Sequence, residues 1–226
     1  DAGEVRVYTW SGDTWTQLGE DIVGDAAGDK LGFQVDLSAD GQRLVVGISG
    51  SDLGGSDAGA VRVFEWSGTA WLQLGANITG TNPGDSLHTV TMSKDGSMIA
   101  AGSSVSDYVN VYHWDGIAWQ QLGSSFTETG LGSNNTLSLS KDGTVLALGA
   151  AGPDDTPANS GVVRVFHWFN NEWVQLGNEI QGDLEGGFFW RTSLSADGMT
   201  LAVGAYSGSG GGVYSGAGYV RIFRYS

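Results

Sequence analysis

The stretch Val61-Arg62-Val63-Phe64-Glu65-Trp66 decides the fold, because similar stretches recur along the whole chain. Each copy alternates small apolar residues with charged, polar or aromatic ones, which is the pattern of a β-strand with two different faces. The first valines of successive copies lie 56, 48, 54 and 57 residues apart, so a repeat of this length organises the chain. The other copies are Val5-Arg6-Val7-Tyr8-Thr9-Trp10, Val109-Asn110-Val111-Tyr112-His113-Trp114, Val163-Arg164-Val165-Phe166-His167-Trp168 and Val220-Arg221-Ile222-Phe223-Arg224-Tyr225.

Two further elements repeat with this stretch. A second Trp faces the first across a short hairpin and is followed by Gln-Leu-Gly, at Trp15, Trp71, Trp119 and Trp173. A two-residue turn such as Gly12-Asp13 sets the two Trp residues opposite each other, and we expect these pairs to pack in the core. A Ser-x-Asp-Gly turn also occurs four times, with its aspartates at Asp40, Asp95, Asp142 and Asp197. Because these aspartates are the same in every unit, we expect them to hold turns rather than bind ligands.

The sequence of each unit therefore predicts four short β-strands, and no segment has apolar residues at the spacing of a helix. The second strand is apolar on successive positions, as in Leu44-Val45-Val46, which predicts burial on both faces. Such units, rich in Gly and aromatic residues, predict an all-β fold, a β-propeller built from four repeats; a sandwich or a β-solenoid array is the alternative. We expect residues 1–226 to form one domain, with units at 1–56, 57–106, 107–160 and 161–216 and a closing strand at 217–226.

The ends of the repeat array predict how the ring closes. The chain starts with the third and fourth strands of a unit and finishes with a first, second and third strand. The strand Thr16–Gly19 is therefore expected to complete the last unit, which makes either Val5–Trp10 or Tyr219–Phe223 redundant. The alternative is that the chain is an excerpt of a larger propeller or array. Self-association through the terminal strands is a further expectation.

Composition and charge exclude several classes of function. The chain has no Cys, which excludes disulfides, thiolate metal sites and a cysteine nucleophile. A formal net charge of −15 repels phosphate, so nucleic acid is excluded as a partner. No apolar run is long enough to cross a membrane, and we expect no membrane insertion.

The repeat resembles the FG-GAP repeats of integrin-α-like propellers, particularly those of bacterial and algal extracellular repeat proteins. Leu31-Gly32 stands where that family has Phe-Gly, and Gly149-Ala150-Ala151 and Gly204-Ala205-Tyr206 stand where it has Gly-Ala-Pro. Gly59-Ala60-Val61 and Gly161-Val162-Val163 match its following strand. The resemblance implies an extracellular or cell-surface location and a role in adhesion. The Asp-rich calcium loops of the family are missing, so the turns do not support Ca²⁺ and no cofactor is expected.

The segments that enter the first strand of each unit differ from one another, which makes them the candidate site. Phe33, His88, Asn135 and Trp190 are equivalent positions, and such loops border the channel of a propeller. An aromatic face with a guanidinium and nearby carboxamides suits a sugar ring or a peptide side chain; alternatively, the aromatic residues plug the channel. The candidate ligand-binding residues are Phe188, Phe189, Trp190, Arg191, His88, Asn134 and Asn135.

These observations favour a non-catalytic extracellular module for interaction, adhesion or surface assembly, with an extracellular protein or a glycan as partner. No catalytic or metal-binding residues are assigned. One alternative is a lectin or a carbohydrate-active enzyme, for which Asp29, Asp85 and Asp183 are possible carboxylates. The other is a purely structural repeat of a filament or coat. We also expect the recurring arginines beside aromatic rings, Arg6, Arg62, Arg164 and Arg221, to make cation–π contacts.

Overall fold

The computed structural model describes residues 1–103, 105–127, 136–150, 160–182, 189–205 and 218–225. These residues form strands and turns with no helix among them, as the sequence predicts. No helical segment in the described ranges has the length and apolar character of a membrane span.

The N-terminal region forms two small pairs of strands. They are β1 (Glu4–Val5), β2 (Tyr8–Trp10), β3 (Trp15–Gln17) and β4 (Ile22–Val23). β1 pairs with β4, and β2 pairs with β3 as a hairpin. In this N-terminal hairpin Trp10 lies opposite Trp15, and Ser11 donates to Thr14, so Gly12-Asp13 is the two-residue turn that the sequence predicts.

Four antiparallel sheets follow in chain order. The first sheet contains β5 (Leu31–Leu37), β6 (Arg43–Ile48), β7 (Ala60–Trp66) and β8 (Trp71–Gln73), with β9 (Ile78–Thr79) beside β7. The second contains β10 (Leu87–Met92), β11 (Met98–Ser103), β12 (Tyr108–Trp114) and β13 (Trp119–Gln121). The third contains β14 (Thr136–Leu139), β15 (Val145–Ala150), β16 (Val162–Phe169) and β17 (Glu172–Gln175), with β18 (Ile180–Gln181) beside β16. The fourth contains β19 (Phe189–Leu194), β20 (Thr200–Ala205) and β21 (Tyr219–Arg224). Each four-stranded sheet takes its first two strands from one sequence unit and its last two from the next.

The Ser-x-Asp-Gly turns join the first and second strands of every sheet. In the first sheet the Ser38 hydroxyl donates to Asp40 at 2.6 Å and accepts the Arg43 N–H at 2.9 Å, while Asp40 also accepts the Gln42 N–H. The same bonds recur at Asp95, Asp142 and Asp197. These aspartates are therefore occupied by turn hydrogen bonds, which agrees with the expectation that they serve the fold.

The sheets pack face to face in sequence order through apolar clusters. The first seam, between the N-terminal strands and the first sheet, contains Val7, Leu31 and Leu44. The next seams are centred on Val61 and Met92, on Val109 and Leu146, and on Val163 and Leu201. The second strands of the first three sheets, such as the one with Leu44-Val45-Val46, are buried almost throughout because they lie between two such seams.

A hydrogen bond from a Trp indole crosses three of these seams. The second Trp of each pair donates from Nε1 to the carbonyl of the Leu in the preceding Gln-Leu-Gly, and we call this contact the Trp latch. The distances are 2.9 Å for Trp71 to Leu18, 2.9 Å for Trp119 to Leu74 and 3.0 Å for Trp173 to Leu122. The Trp rings of these three pairs are half-buried at the seams rather than inside the core, and the first pair, Trp10 and Trp15, is exposed.

The fourth sheet keeps one uncovered face, and the first sheet is covered only in part, with Val35 and Leu37 exposed. Val220 and Ile222 on β21 are 69% and 73% exposed, whereas the equivalent Val61 and Val63 are 0% and 2% exposed. Among the described strands, β21 pairs only with β20 and β3 only with β2. The expected completion of the last unit by Thr16–Gly19 is therefore not seen within the described part of this chain.

Candidate functional site

The candidate site lies where the first strands of the sheets begin, because the first strands of the first, second and fourth sheets carry an irregularity there. In β10, Leu87 faces Ser103 and Thr89 faces Gly102, so His88 is an extra residue in the ladder. Bulges of this kind re-aim side chains and are common beside functional sites. The position at which the repeats differ in sequence thus coincides with the bulge in β10.

The first and fourth sheets have the irregularity at the equivalent place. In β5 three residues, Gly32 to Gln34, lie across from Gly47 alone. In β19 the register shifts between Phe189 and Arg191, which makes Trp190 the extra residue. β10 packs on both β5 and β14, and β19 packs on β14, so the irregular positions follow the order of the sheets. We call Phe33, His88 and Trp190 the bulge row.

Within the bulge row, the rings of Phe33 and His88 are in contact. Their ring centroids are 4.2 Å apart in an edge-to-face arrangement. Phe33 is 61% exposed, whereas His88 is buried. The pair therefore presents an exposed phenyl ring beside an imidazole that is itself held by the protein.

The orientation of His88 is set by its neighbours. Its Nδ1 contacts the carbonyl oxygen of Ser86, which can only accept, so Nδ1 carries the proton and Nε2 is the acceptor. A side chain at Gly47 would come within 2.0 Å of the His88 carbonyl oxygen, so glycine there allows the close approach of the two strands. Burial lowers the pKa of His88 below its ordinary value, although the hydrogen bond to Ser86 offsets part of this effect. The imidazole is therefore neutral at pH 7.

The loop before His88 is held by a buried carboxylate. Asp85 accepts hydrogen bonds from Thr81, Asn82, Ser106 and Tyr108. Burial alone would raise the pKa of Asp85, but these bonds outweigh it and the pKa lies below its ordinary value. Burial, with the nearby Asp85 carboxylate, raises the pKa of Tyr108 to about 12. Asp85 is thus a fixed anion that shapes a loop, and its environment does not suit a general acid.

The other predicted ligand-binding residues are only partly described. Arg191 is exposed on β19, two sheets away from β10. Phe188, Asn134 and Asn135 lie outside the described residues, as does Asp183. For Phe189 and Trp190 the description covers the strand and not the side chains. Within the described residues, His88 is brought against Phe33, which the sequence identified only as its equivalent in another repeat.

The recurring arginines have different partners from those expected. Three of them bind the residue fifteen positions later: Arg6 contacts Asp21 at 2.9 Å, Arg62 contacts Asn77 at 2.9 Å and Arg164 contacts Glu179 at 2.9 Å. Arg62 also pairs with Asp25. Charge-assisted hydrogen bonds are stronger than contacts with a ring face, which explains the preference. A cation–π contact is present for Arg221, 5.2 Å from the centroid of Tyr219.

Candidate metal ligands are not clustered in the described structure. No group of three or more His, Asp or Glu side chains that could hold an ion is found among the described residues. The chemistry that the bulge row can perform is therefore stacking on Phe33 and hydrogen bonding to the neutral imidazole of His88.

Comparisons with known proteins give a fold and no family. No protein-family model matches the sequence, and no curated protein is significantly similar to it. Among solved structures, hydrazine synthase of Kuenenia stuttgartiensis is similar with a TM-score of 0.61 and 13% identity, over 97% of this chain and 55% of that one. A "putative 6-phosphogluconolactonase" of Bacteroides fragilis is similar with a TM-score of 0.60 and 13% identity, over 99% and 65% of the two chains. A protein from Lactobacillus plantarum is similar with a TM-score of 0.59 and 17% identity, over 99% and 65%.

This chain thus spans between 55% and 65% of the length of these structures. The identities are too low to carry a function from one protein to the other. What the likenesses support is the architecture: an all-β, propeller-like succession of antiparallel sheets.

Proposed function

We propose that the four repeats are successive blades of a β-propeller and that the chain is a non-catalytic, extracellular interaction module. It binds a neutral ligand at the bulge row. The observation that carries the proposal is the Phe33–His88 pair, a solvent-facing ring held 4.2 Å from a buried, neutral imidazole. The resemblance to FG-GAP repeats supports the extracellular location and the adhesive role.

The chemistry of the pair favours the face of a sugar ring, or else an apolar peptide side chain, on an extracellular glycan or protein. A phenyl face offers a broad apolar contact, and Nε2 of His88 accepts one hydrogen bond from a ligand hydroxyl or amide. The buried Ser49 hydroxyl has no partner among the described residues, and the Ser49 carbonyl accepts from Ser86, the residue that fixes His88. A buried water would satisfy that hydroxyl.

The net charge of the chain limits which kinds of ligand can bind at this site. The net charge of −15 repels anions over the whole surface, so a phosphorylated or sulfated ligand would bind poorly. Affinity would come from burial of the exposed ring rather than from ion pairing, and we expect a weak dependence on salt.

Binding to an array of neutral glycans and of extracellular peptides tests this proposal. Phe33→Ala is expected to weaken binding of any ligand found by at least about tenfold, since a buried aromatic contact contributes about 1.4 kcal/mol or more. Phe169→Ala is the matched control, because Phe169 is a similarly exposed phenylalanine on β16, away from the strand starts. Equal binding by both variants would contradict a site at the bulge row.

The name of the Bacteroides fragilis neighbour favours a second candidate, a hydrolytic enzyme acting on a sugar lactone. This candidate includes the expected alternative of a carbohydrate-active enzyme. Turnover of a neutral or phosphorylated aldonolactone by the purified chain, lost on changing exposed acidic residues of the rim, would support it. A third outcome is that neither a ligand nor turnover is found and that Phe33→Ala lowers stability. The aromatic residues would then fill the channel of the propeller, which would favour a purely structural repeat.

A further inference from the structure

Each internal seam joins two complementary halves. One half is a Trp pair on a hairpin, and the other is the Leu-Gly that follows the preceding hairpin. The glycine is needed because a Cβ at Gly75 would lie 2.8 Å from Trp114, and a Cβ at Gly19 would lie 2.7 Å from Trp66. The leucine carbonyl receives the indole N–H, as described for the Trp latch.

Within the described residues, one Trp pair and one Leu-Gly do not take part in any seam. Trp15 is 64% exposed, and its indole has no described acceptor, although Trp71 and Trp119 donate from the same repeat position. At the other end, the position of a Cβ at Gly177 has no atom within 4 Å, whereas the equivalent Gly75 lies under two Trp rings. The chain therefore carries an unused donor half and an unused acceptor half.

A cavity marks the place of the missing Trp beside Leu176. It has a volume of about 130 Å³ and is mostly apolar, with Val165, Leu176, Ile180, Leu194, Leu201 and Phe223 in its wall. At the earlier seams Trp71, Trp119 and Trp173 pack against the equivalent clusters. The described members of the fourth cluster include no Trp. An indole is the group that the other three seams place at this position.

The exposed apolar residues of the fourth sheet also match those of the first sheet. Val220 and Ile222 correspond to Val61 and Val63, which in the second seam pack with Val90 and Met92. Residues equivalent to Val90 and Met92 are exposed at the opposite end of the chain, at Val35 and Leu37 on β5. The two ends of the chain thus present surfaces that already fit each other in its interior.

We propose that a second copy of this chain docks head to tail. Trp15 of the second copy enters the cavity beside Leu176, its indole donates to the Leu176 carbonyl, and the face carrying Val35 and Leu37 covers Val220 and Ile222. Such a contact joins different surfaces of the two copies, so it closes into a ring or extends as an array according to its rotation.

A second copy fits better than closure within one chain. The N-terminal hairpin and β21 do not pair with each other in the described structure. Within the described residues, the unused halves at the two ends are therefore open to the matching ends of a second copy.

The sheet that the two copies would form together has one redundant strand. β2 and β21 carry the same alternating motif and compete for the edge of β3. When β21 of one copy replaces β2 beside β3 of the other, one set of ladder bonds replaces another, so the net gain comes from Trp15 and from the covered faces. This inference does not depend on a ligand at the bulge row, and its test contains no ligand.

Sedimentation velocity over a concentration series tests the proposal, at about 150 mM salt so that the net charge is screened. The unmodified chain is expected to associate reversibly. Trp15→Ala and Ile222→Asp each alter an exposed residue at one end, and each is expected to weaken association by about 30-fold or more, as loss of a central aromatic or apolar anchor does. Ile117→Ala, at an exposed position in another hairpin, is the control and should associate like the unmodified chain.

Mixing the two variants gives the decisive result. Trp15→Ala retains an intact C-terminal end and Ile222→Asp an intact N-terminal end, so an equimolar mixture is expected to regain one complete seam and form a heterodimer. A mixture that stays monomeric would overturn the head-to-tail contact. A monomeric unmodified chain at every concentration, or unchanged association of Trp15→Ala, would overturn the proposal as a whole. Thermal unfolding of each variant verifies that the exposed substitutions leave the fold intact.

Discussion

The indole Nε1 of Trp71 lies 2.9 Å from the carbonyl oxygen of Leu18, which belongs to the preceding repeat 53 positions earlier in the chain. The hydrogen bond crosses a seam between packed strands, and it recurs at the next two seams. Each sheet is therefore joined to the one before it by a directional contact in addition to apolar burial. Directional contacts fix the order and the angle of packing, which area burial alone does not.

Removal of one indole donor should reveal the contribution of the Trp latch. Trp119→Phe keeps an aromatic ring but leaves the Leu74 carbonyl without its donor, so the free energy of unfolding should fall by about 1–3 kcal/mol. Trp15→Phe is the control and should change it by less than about 0.5 kcal/mol, because its indole has no described acceptor. Chemical denaturation measures both, and equal losses would contradict the latch.

A second prediction compares two glycines with similar backbone conformations. Gly75 and Gly177 have φ angles of +82° and +69°, so alanine is strained at both, by about 1 kcal/mol. At Gly75 the new methyl group would also collide with Trp114, whereas the space around Gly177 is open. Gly75→Ala should therefore lower the free energy of unfolding by about 1–3 kcal/mol more than Gly177→Ala does. No difference in denaturation midpoint would mean that the Trp pair does not rest on the glycine.

The turn aspartates predict acid sensitivity. The hydrogen bond from Ser38 lowers the pKa of Asp40; at Asp95 burial raises the pKa, but bonds from Ser93 and Ser97 outweigh it and the net shift is downward. A carboxyl whose pKa is lower in the folded state stabilises the fold above its unfolded value of about 3.9. This contribution disappears as the pH falls through the folded pKa. Unfolding free energies between pH 5 and 2.5 should therefore fall less steeply for Asp95→Asn than for the unmodified chain.

His88 predicts a separate dependence at higher pH. Its folded pKa lies below the ordinary value, so below about pH 6.5 the unfolded chain binds a proton that the folded chain resists. The stability associated with neutral His88 is complete above that pH and decreases as the pH falls toward the folded pKa. His88→Gln, which cannot titrate, should lose this slope between pH 6.5 and 5. A slope that persists in the variant would assign the effect to another group.

The sequence predicted the local features well, because short-range chemistry determines them. Ser38 and Asp40 form the predicted turn, and Trp10 lies opposite Trp15 across Gly12-Asp13 as expected. Hairpin register depends on a few adjacent residues, and these were visible in the repeat.

Contacts between repeats were less predictable. The acceptor of Trp71 is in the previous repeat, and no local pattern shows which carbonyl an indole will meet. The partners of Arg6 and Arg164 could have been found, since Asp21 and Glu179 recur fifteen residues after them. For the bulge row, comparison between repeats selected Phe33 and His88, but the 4.2 Å contact between them depends on the packing of β5 on β10.

Exchange of the indole N–H protons, followed by NMR in dilute solution, tests the central claim most directly. The Trp latch predicts slow exchange for Trp71, Trp119 and Trp173 and fast exchange for Trp15, with the Trp15 proton becoming protected as the concentration of the chain is raised. Fast exchange at Trp71, Trp119 and Trp173, or equal protection of Trp15 in the dilute monomer, would contradict the account of seams with one unused half at each end.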